Sequence, residues 1–381
     1  MFKLVSIVGA RPQFIKIAPM LSSVERRDRH GDLSIDHVIV HTGQHYDPQM
    51  SDVFFEELGI PPAAFNLGVG SGRHGSQTGR MLEQIEQVLV QVRPDMVVTY
   101  GDTNSTIAGA LAAAKLQIPT AHVEAGVRSF NRRMPEEINR VAVDHVSDLL
   151  LAPTPTAVAN LDKEGLTARA VLTGDLMYDA VLTYWERARE RSTILARLGL
   201  VPGRYGVVTV HRAENTDDED RLWRILQALN DAAAQCGRLV FPVHPRTQKL
   251  LHSRFPEWSP HAALELIAPV GYLDTLLLVG HARVLLTDSG GLQKEAFFLG
   301  CPTVTLRDET EWVETVQWGG NILAGADRNA IRAAVSTWAD RFPDGHADFS
   351  AGVSAAFGDG HAAERITDAL LAYRHLARWN P

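Results

Sequence analysis

Met96-Val-Val-Thr-Tyr-Gly101-Asp102-Thr-Asn-Ser-Thr106 and Ile118-Pro-Thr-Ala-His122-Val-Glu124-Ala-Gly126 share one plan, a short apolar run that leads into an acid. The runs Met96 to Thr99 and Ile118 to Ala121 read as strands buried on both faces of a parallel sheet. Their acids then fall at strand C-terminal ends, the edge at which open α/β sheets bind ligands. A third acidic motif, Met134-Pro135-Glu136-Glu137-Ile-Asn-Arg140, follows closely. Carboxylates gathered beside a crevice can be tuned by burial and neighbours to give or take protons, so the stretch reads as part of an enzyme.

Outward from this stretch the first half alternates strand and helix patterns. Strands are expected at Leu4 to Val8, Val38 to His41, Met96 to Tyr100, up to Val123, Leu149 to Ala152 and Val171 to Thr173. Helices are expected from about Pro12, near Met50 to Leu58, near Gln77 to Val92, over Ser105 to Leu116 and from Pro135. Such alternation builds a parallel sheet wrapped on both faces. The second half repeats the theme, with strands at Gly206 to His211, Leu239 to His244 and Val284 to Thr287. Its helices are placed near Asp220 to Ala234, Tyr272 to His281, Leu292 to Leu299 and Asn329 to Ala339. The expected organisation is an N-terminal domain over 1–175, a charged helical linker over 176–204 ending in Pro202-Gly203, and a C-terminal domain over 205–354. A final helix over 355–381, free to cross back onto the first domain, completes this reading.

A chain of 381 residues exceeds one ordinary core and suits two domains. Its 45% hydrophobic and 22% charged residues fit a folded globular protein, and the net charge of −8 argues against broad nucleic-acid binding. The only cysteines, Cys236 and Cys301, have no metal-ligand or redox spacing, which points to a reducing cytoplasm. The first residues read as a strand broken by Gly9 and Arg11 rather than a signal peptide, and no apolar run reaches membrane-spanning length.

Gly9-Ala10-Arg11-Pro12-Gln13-Phe14-Ile15-Lys16 lies where a strand meets a helix, and its amides, Arg11 and Lys16 would suit a phosphate. A plain turn with solvated bases is the other reading. Thr287-Asp288-Ser289-Gly290-Gly291-Leu292-Gln293-Lys294-Glu295 is the counterpart in the second half. Its glycines would let amides approach a diphosphate, Ser289 can donate, and Glu295 can accept from a ribose. Two such loops imply a nucleotide between two domains. A nucleophile elbow is disfavoured by Thr287 in place of its first glycine. Gly70-Ser-Gly72-Arg73-His74-Gly75 fits a dinucleotide pattern but follows no convincing strand, so it reads as a loop whose Arg73 and His74 could meet a ligand. His211 and His244 end neighbouring strands and can contact phosphate or shuttle protons, or simply cap helices. His41, Gln44 and His45 lie in a loop, and no metal-ligand set is read anywhere. Glu136 also fits a plain helix N-terminus, whereas Asp102 and Glu124, placed after buried strands, need a partner or a ligand.

Taken in order, Gly-Ala-Arg11-Pro-Gln-Phe-Ile-Lys16, Gly-Asp102-Thr, His-Val-Glu124-Ala-Gly, Pro-Glu136-Glu-Ile-Asn-Arg140, His211-Arg and Asp-Ser289-Gly-Gly-Leu-Gln-Lys-Glu295 resemble the non-hydrolysing UDP-N-acetylglucosamine 2-epimerases over nearly the whole chain. The resemblance implies two Rossmann-like domains facing a central cleft, in the glycosyltransferase-B manner, usually as a homodimer and without metal or redox cofactor. It implies a UDP-sugar inverted at C2 by elimination of UDP and re-addition through a 2-acetamidoglucal. By the same resemblance Asp102, Glu124, Glu136 and His211 carry the chemistry. Arg11, Lys16, Arg140, His244, Ser289, Gly290, Gly291 and Glu295 hold substrate, and Gln44, His45, Arg73, His74 and Arg132 make sugar or regulatory contacts. Ala10 and Gln13 depart from the commoner Thr and Glu, and Thr275 stands where others carry an aromatic against uracil. With His41-Thr-Gly-Gln-His-Tyr-Asp47 and Arg128-Ser-Phe-Asn-Arg-Arg-Met134, Ala10 and Gln13 look like the branch acting on UDP-2,3-diacetamido-2,3-dideoxyglucuronate, whose acid group Arg73, Arg132 or Arg133 could meet. A retaining glycosyltransferase, a hydrolysing epimerase and a non-catalytic sensor are the competing readings.

Overall fold

The protein is described by a computed structural model over residues 1–29, 34–44, 55 and 57–377. It forms two compact units, Met1–Thr183 with Ala356–Pro381, and Tyr184–Ala355.

Unit 1 holds seven parallel strands: β1 (Phe2–Val8), β2 (Ile35–His41), β3 (Phe65–Asn66), β4 (Met96–Tyr100), β5 (Thr120–Val123), β6 (Leu149–Ala152) and β7 (Ala170–Leu172), in the order β3-β2-β1-β4-β5-β6-β7. The central strands are buried at nearly every position, and β4 at all of them, because helices cover both faces and no face is left for polar side chains. Register runs Leu4↔Met96 to Ile7↔Thr99 and Val97↔Thr120 to Tyr100↔Val123, which brings the chain beyond β1, β4 and β5 to one edge. The strand order reverses between β1 and β4, so the switch point lies between Gly9 and Gly101.

The helix Asn104–Lys115 sits directly on that point. Thr103 and Thr106 cap it reciprocally, side chain to backbone. Its small residues let it approach the sheet closely. A Cβ on Gly109 would stand 2.7 Å from Ile7 Cδ1, so glycine there reflects contact with β1.

Unit 2 holds β8 (Gly206–Thr209), β9 (Leu239–Pro242), β10 (Leu264–Ile267), β11 (Val284–Thr287), β12 (Thr303–Thr305) and β13 (Asn321–Leu323), ordered β10-β9-β8-β11-β12-β13. This is the same winding as in unit 1, with its switch point between β8 and β11. The helix Glu219–Cys236 buries Leu222, Ile225, Leu226 and Leu229 on the sheet, starts at Asp218 and stops at left-handed Gly237.

Residues 176–204, expected as a linker, are largely helical, over Leu176–Arg191 and Ile194–Leu198, and the division between units falls inside the first of these helices. The chain returns to unit 1 near Ala356 and ends in the helix Ala362–Ala377. Asp179 fastens that helix by accepting from Ala362 N and Ala363 N at 3.1 and 2.7 Å, while Ser23 and Thr367, one turn on, share a hydrogen bond of 2.9 Å. Burial pushes the Asp179 carboxyl up to about 6 against the pull of those amides. Strands β3, β10, β12 and β13 had no counterpart in the sequence reading. The helix expected near Met50 to Leu58 lies mostly outside the described residues.

Gly109→Val is expected to destabilise unit 1 by about 1–3 kcal/mol through overpacking against Ile7, read as a lower urea midpoint; an unchanged midpoint would mean that the helix can lift off the sheet.

Candidate active site

At the unit 1 switch point the turn after β1 is closed by its own helix. Gln13 Oε1 accepts from Gly9 N at 2.8 Å and Ala10 N at 3.0 Å, while its amide nitrogen donates to Tyr100 O at 2.8 Å and Thr106 Oγ1 at 3.0 Å. One side chain therefore staples the end of β1 to the end of β4. The turn was expected to offer its amides and Lys16 to a phosphate. The amides of Gly9 and Ala10 are taken by Gln13, and Lys16 Nζ is buried in an ion pair with Glu124 Oε2 at 2.7 Å. Arg11 stands at the helix start, partly buried.

The three acids converge beyond β4 and β5. Gly101, left-handed at φ 64°, turns the chain so that Asp102 meets Arg140, with Oδ2 2.5 Å from Nη2. Asn139 donates to the Asp102 carbonyl at 2.8 Å. Burial raises the Asp102 carboxyl above its ordinary range; Arg140 opposes this, Glu136 and Glu124 add to it, and Lys16 opposes it weakly. Both other candidate acids thus act on Asp102 through space. Glu124 adopts φ 76°, a left-handed conformation that costs a non-glycine residue about 1–3 kcal/mol and is held here by the Lys16 pair.

Glu136 and its neighbour Glu137 part company. Glu136 is partly exposed in the first turn of the helix Pro135–Val146. Glu137 is buried and accepts from Ser129 N, Ser129 Oγ and Phe130 N at 2.9 Å each, with Arg140 Nη1 at 3.1 Å. Burial alone would raise its carboxyl, but the Ser129 donors, Arg140 and Phe130 together hold it below the usual range. Glu137 is thus committed to holding the 129–130 backbone and Arg140.

Around this cluster, Gln44 Oε1 accepts from Ser105 N and Oγ at 3.1 and 2.8 Å. His74 pairs with Asn104 at 3.2 Å, and Arg73 and Arg132 are exposed. His45 lies outside the described residues. The Gly70 to Gly75 stretch follows the two-residue β3 and leads into the helix His74–Val92, with Gln77 holding the Gly70 carbonyl at 2.7 Å, a setting unlike a dinucleotide turn.

In unit 2 the organiser is Asp288, a residue the sequence reading quoted but did not single out. Fully buried after β11, it accepts from His211 N and Arg212 N at 3.0 and 2.9 Å and from Asn215 Nδ2 at 3.1 Å, so it locks the loops after β8 and β11 together. The available signal was the one used for Asp102, an acid directly after a buried run. His211 faces Asp288 through Nδ1 at 3.4 Å and lies 5.6 Å from the His244 ring. His244 caps the helix Pro245–Arg254 by accepting from Arg246 N. Ser289 caps the helix Gly290–Phe298, and Glu295, one turn on, is buried against Tyr272. That phenol is raised well above its normal range by burial first and by Glu295 next.

The paired glycines have different reasons. A Cβ on Gly290 would come within 2.3 Å of Glu311 Oε1, which is itself buried against Arg307 at 2.8 Å; a Cβ on Gly291 would meet nothing within 4 Å. Only Gly291 leaves open space over the helix N-terminus, where anions bind well. Lys294, buried with its Nζ 3.6 Å from the Trp312 ring centre, completes a charged layer beneath this turn that nothing in the sequence pattern had marked.

A family model described as UDP-N-acetylglucosamine 2-epimerase matches residues 27–371. The chain is 47% identical, over 97% of its length and 99% of the relative's, to a UDP-N-acetylglucosamine 2-epimerase homolog of Methanococcus maripaludis. It is 44% identical, over the same shares, to the UDP-2,3-diacetamido-2,3-dideoxy-D-glucuronate 2-epimerase of Pseudomonas aeruginosa. Among solved structures, the UDP-GlcNAc 2-epimerase of Methanocaldococcus jannaschii in complex with UDP-GlcNAc and UDP superposes with a TM-score of 0.89 at 42% identity, covering 98% of this chain and 100% of that one.

Gly290→Ala is expected to cost about 1–3 kcal/mol by pushing Glu311 off Arg307, whereas Gly291→Ala should leave the melting temperature unchanged; equal melting temperatures would contradict the distinction.

Proposed function

The chain belongs to the UDP-N-acetylglucosamine 2-epimerase family, and from that membership and its acid cluster we propose that it inverts C2 of a UDP-2-acetamido sugar. The observation that carries the chemistry is Asp102, a mostly buried carboxyl held above its ordinary range with Arg140, Glu124 and Glu136 around it. A carboxyl held up in this way is a stronger base than an ordinary carboxylate and can return the proton it takes.

In the proposed reaction one acid removes the C2 proton while the C1–O bond to UDP breaks, its electrons leaving with the diphosphate and a C1=C2 double bond forming. A second acid then protonates C2 on the opposite face, and a diphosphate oxygen re-adds at C1. Two faces need two proton-handling groups, and Asp102, Glu124 and Glu136 supply them. The leaving diphosphate needs donors in place beforehand. Ser289, the uncrowded turn at Gly291, Arg11, His211 and His244 fill that role, with Glu295 on the ribose. We propose a homodimer as the working form, on family resemblance.

The sugar is the finer question. The exposed cations Arg73, Arg132 and Arg133 of unit 1 favour an acidic, diacetamido-uronate substrate. Side-by-side assay with UDP-N-acetylglucosamine and the UDP-diacetamido-uronate, followed by NMR, tests this; turnover of the neutral sugar alone would reject the uronate.

In heavy water the recovered sugar nucleotide should gain deuterium at C2. A glycosyltransferase would leave C2 untouched, and a hydrolysing epimerase would release free sugar. Asp102→Asn is expected to lower exchange by about 10²–10⁴-fold while UDP still binds in a calorimeter; full exchange would remove Asp102 from the chemistry. Arg140→Met takes away the charge that favours ionised Asp102, so burial and the two glutamates dominate and the carboxyl keeps its proton to higher pH. The acid limb of the kcat profile should therefore move upward, and a limb that stays or falls would contradict the pairing.

A further inference from the structure

The proposed reaction relies on acids carried by three separate segments, and one buried line of hydrogen bonds joins all three. His122 and Asp144 are both fully buried, with His122 Nδ1 2.6 Å from Asp144 Oδ1. His122 Nε2 lies 2.7 Å from the carbonyl of Gly101, the residue before Asp102. The second Asp144 oxygen accepts from Gly126 N at 2.9 Å, just beyond Glu124, and from Arg128 Nη1 at 2.7 Å. Asp144 itself belongs to the helix Pro135–Val146, which has Glu136 in its first turn and carries Arg140. Arg128 is anchored in turn by both oxygens of Glu164, at 2.8 Å each.

The partners fix the orientation of the ring. A carbonyl only accepts, so Nε2 donates to Gly101, while Nδ1 lies against a carboxylate oxygen. Burial works to raise Asp144, yet His122, Arg128 and the Gly126 amide outweigh it and hold the carboxyl low. An imidazole bonded at both ends cannot turn without stranding two buried acceptors. It therefore sets the spacing between the loop after β4 and the helix Pro135–Val146.

We propose that His122 is a positioning residue which, oriented by Asp144, fixes the Asp102 carboxylate relative to Glu124 and Glu136. This rests on the 2-epimerase reading. His122 acts through the Gly101 carbonyl and carries no proton to or from the sugar. Asp144 acts at one further remove.

His122→Gln, which can serve one of the two acceptors but not both, and Asp144→Asn are compared with wild type and with the double variant for C2 deuterium exchange, UDP affinity and melting. Each single variant is expected to lose about 10²-fold in kcat, the cost of a misplaced catalytic group, with KM and UDP affinity unchanged. The double variant should be no slower than the worse single one, because the two residues form one device. Unchanged kcat in folded His122→Gln, KM rising in step with lost kcat, or fully additive losses would each overturn the proposal. Failure of both single variants to fold would also overturn it, since the pair would then serve the fold alone. A wild-type protein that exchanges no deuterium would instead sink the epimerase reading, which keeps the two failures apart.

Discussion

A carboxylate at the C-terminal end of a buried parallel strand cannot be left alone, because an unpartnered charge there costs several kcal/mol. Asp102, Glu124 and Asp288 all occupy such places, and Asp144 packs against one. Each has a different answer: Arg140 for Asp102, Lys16 for Glu124, backbone amides for Asp288, and His122 with Arg128 and Gly126 for Asp144. The loops around both switch points take their shape from these pairings. At Asp102, beside Glu136 and Glu124, the balance leaves the carboxyl raised, and that residue is where proton chemistry is best placed.

The two units apply one winding to two tasks. In unit 1 the turn after the first strand is closed by Gln13, so the amides that a dinucleotide fold would spend on phosphate hold the backbone together instead. In unit 2 the turn after β11 keeps Gly291 open above a helix N-terminus, and a buried layer of Arg307, Glu311 and Lys294 supports it from below. The difference lies in side chains at equivalent edges of similar sheets, in keeping with function residing in sites rather than folds.

Much of this was legible in the chain. Buried runs such as Met96 to Tyr100 declare themselves by unbroken hydrophobicity, and acids directly after them are conspicuous. What escaped notice was either too short or too distant. β12 and β13 are three residues each and contain Thr and Asn, so they carry no periodic signal. Gln13 reaches Tyr100 and Thr106, and His122 reaches Asp144, across separations that only the folded sheet closes. Glu136 and Glu137 look interchangeable in sequence; their roles separate only when Ser129 and Phe130 come to rest on one of them. Lys16 read as a phosphate cation because nothing local reveals that Glu124 faces it.

Unit 2 occupies the chain between Thr183 and Ala356, so unit 1 is interrupted and is completed only by residues made after unit 2. As the polypeptide leaves the ribosome, the second unit is complete and free to fold while the acid-bearing first unit still waits for its closing helix. Asp179 and Ser23 therefore meet the residues they hold at Ala362, Ala363 and Thr367 only once unit 2 has been synthesised. A nascent chain stalled before them would carry a whole second unit and an unfinished first one.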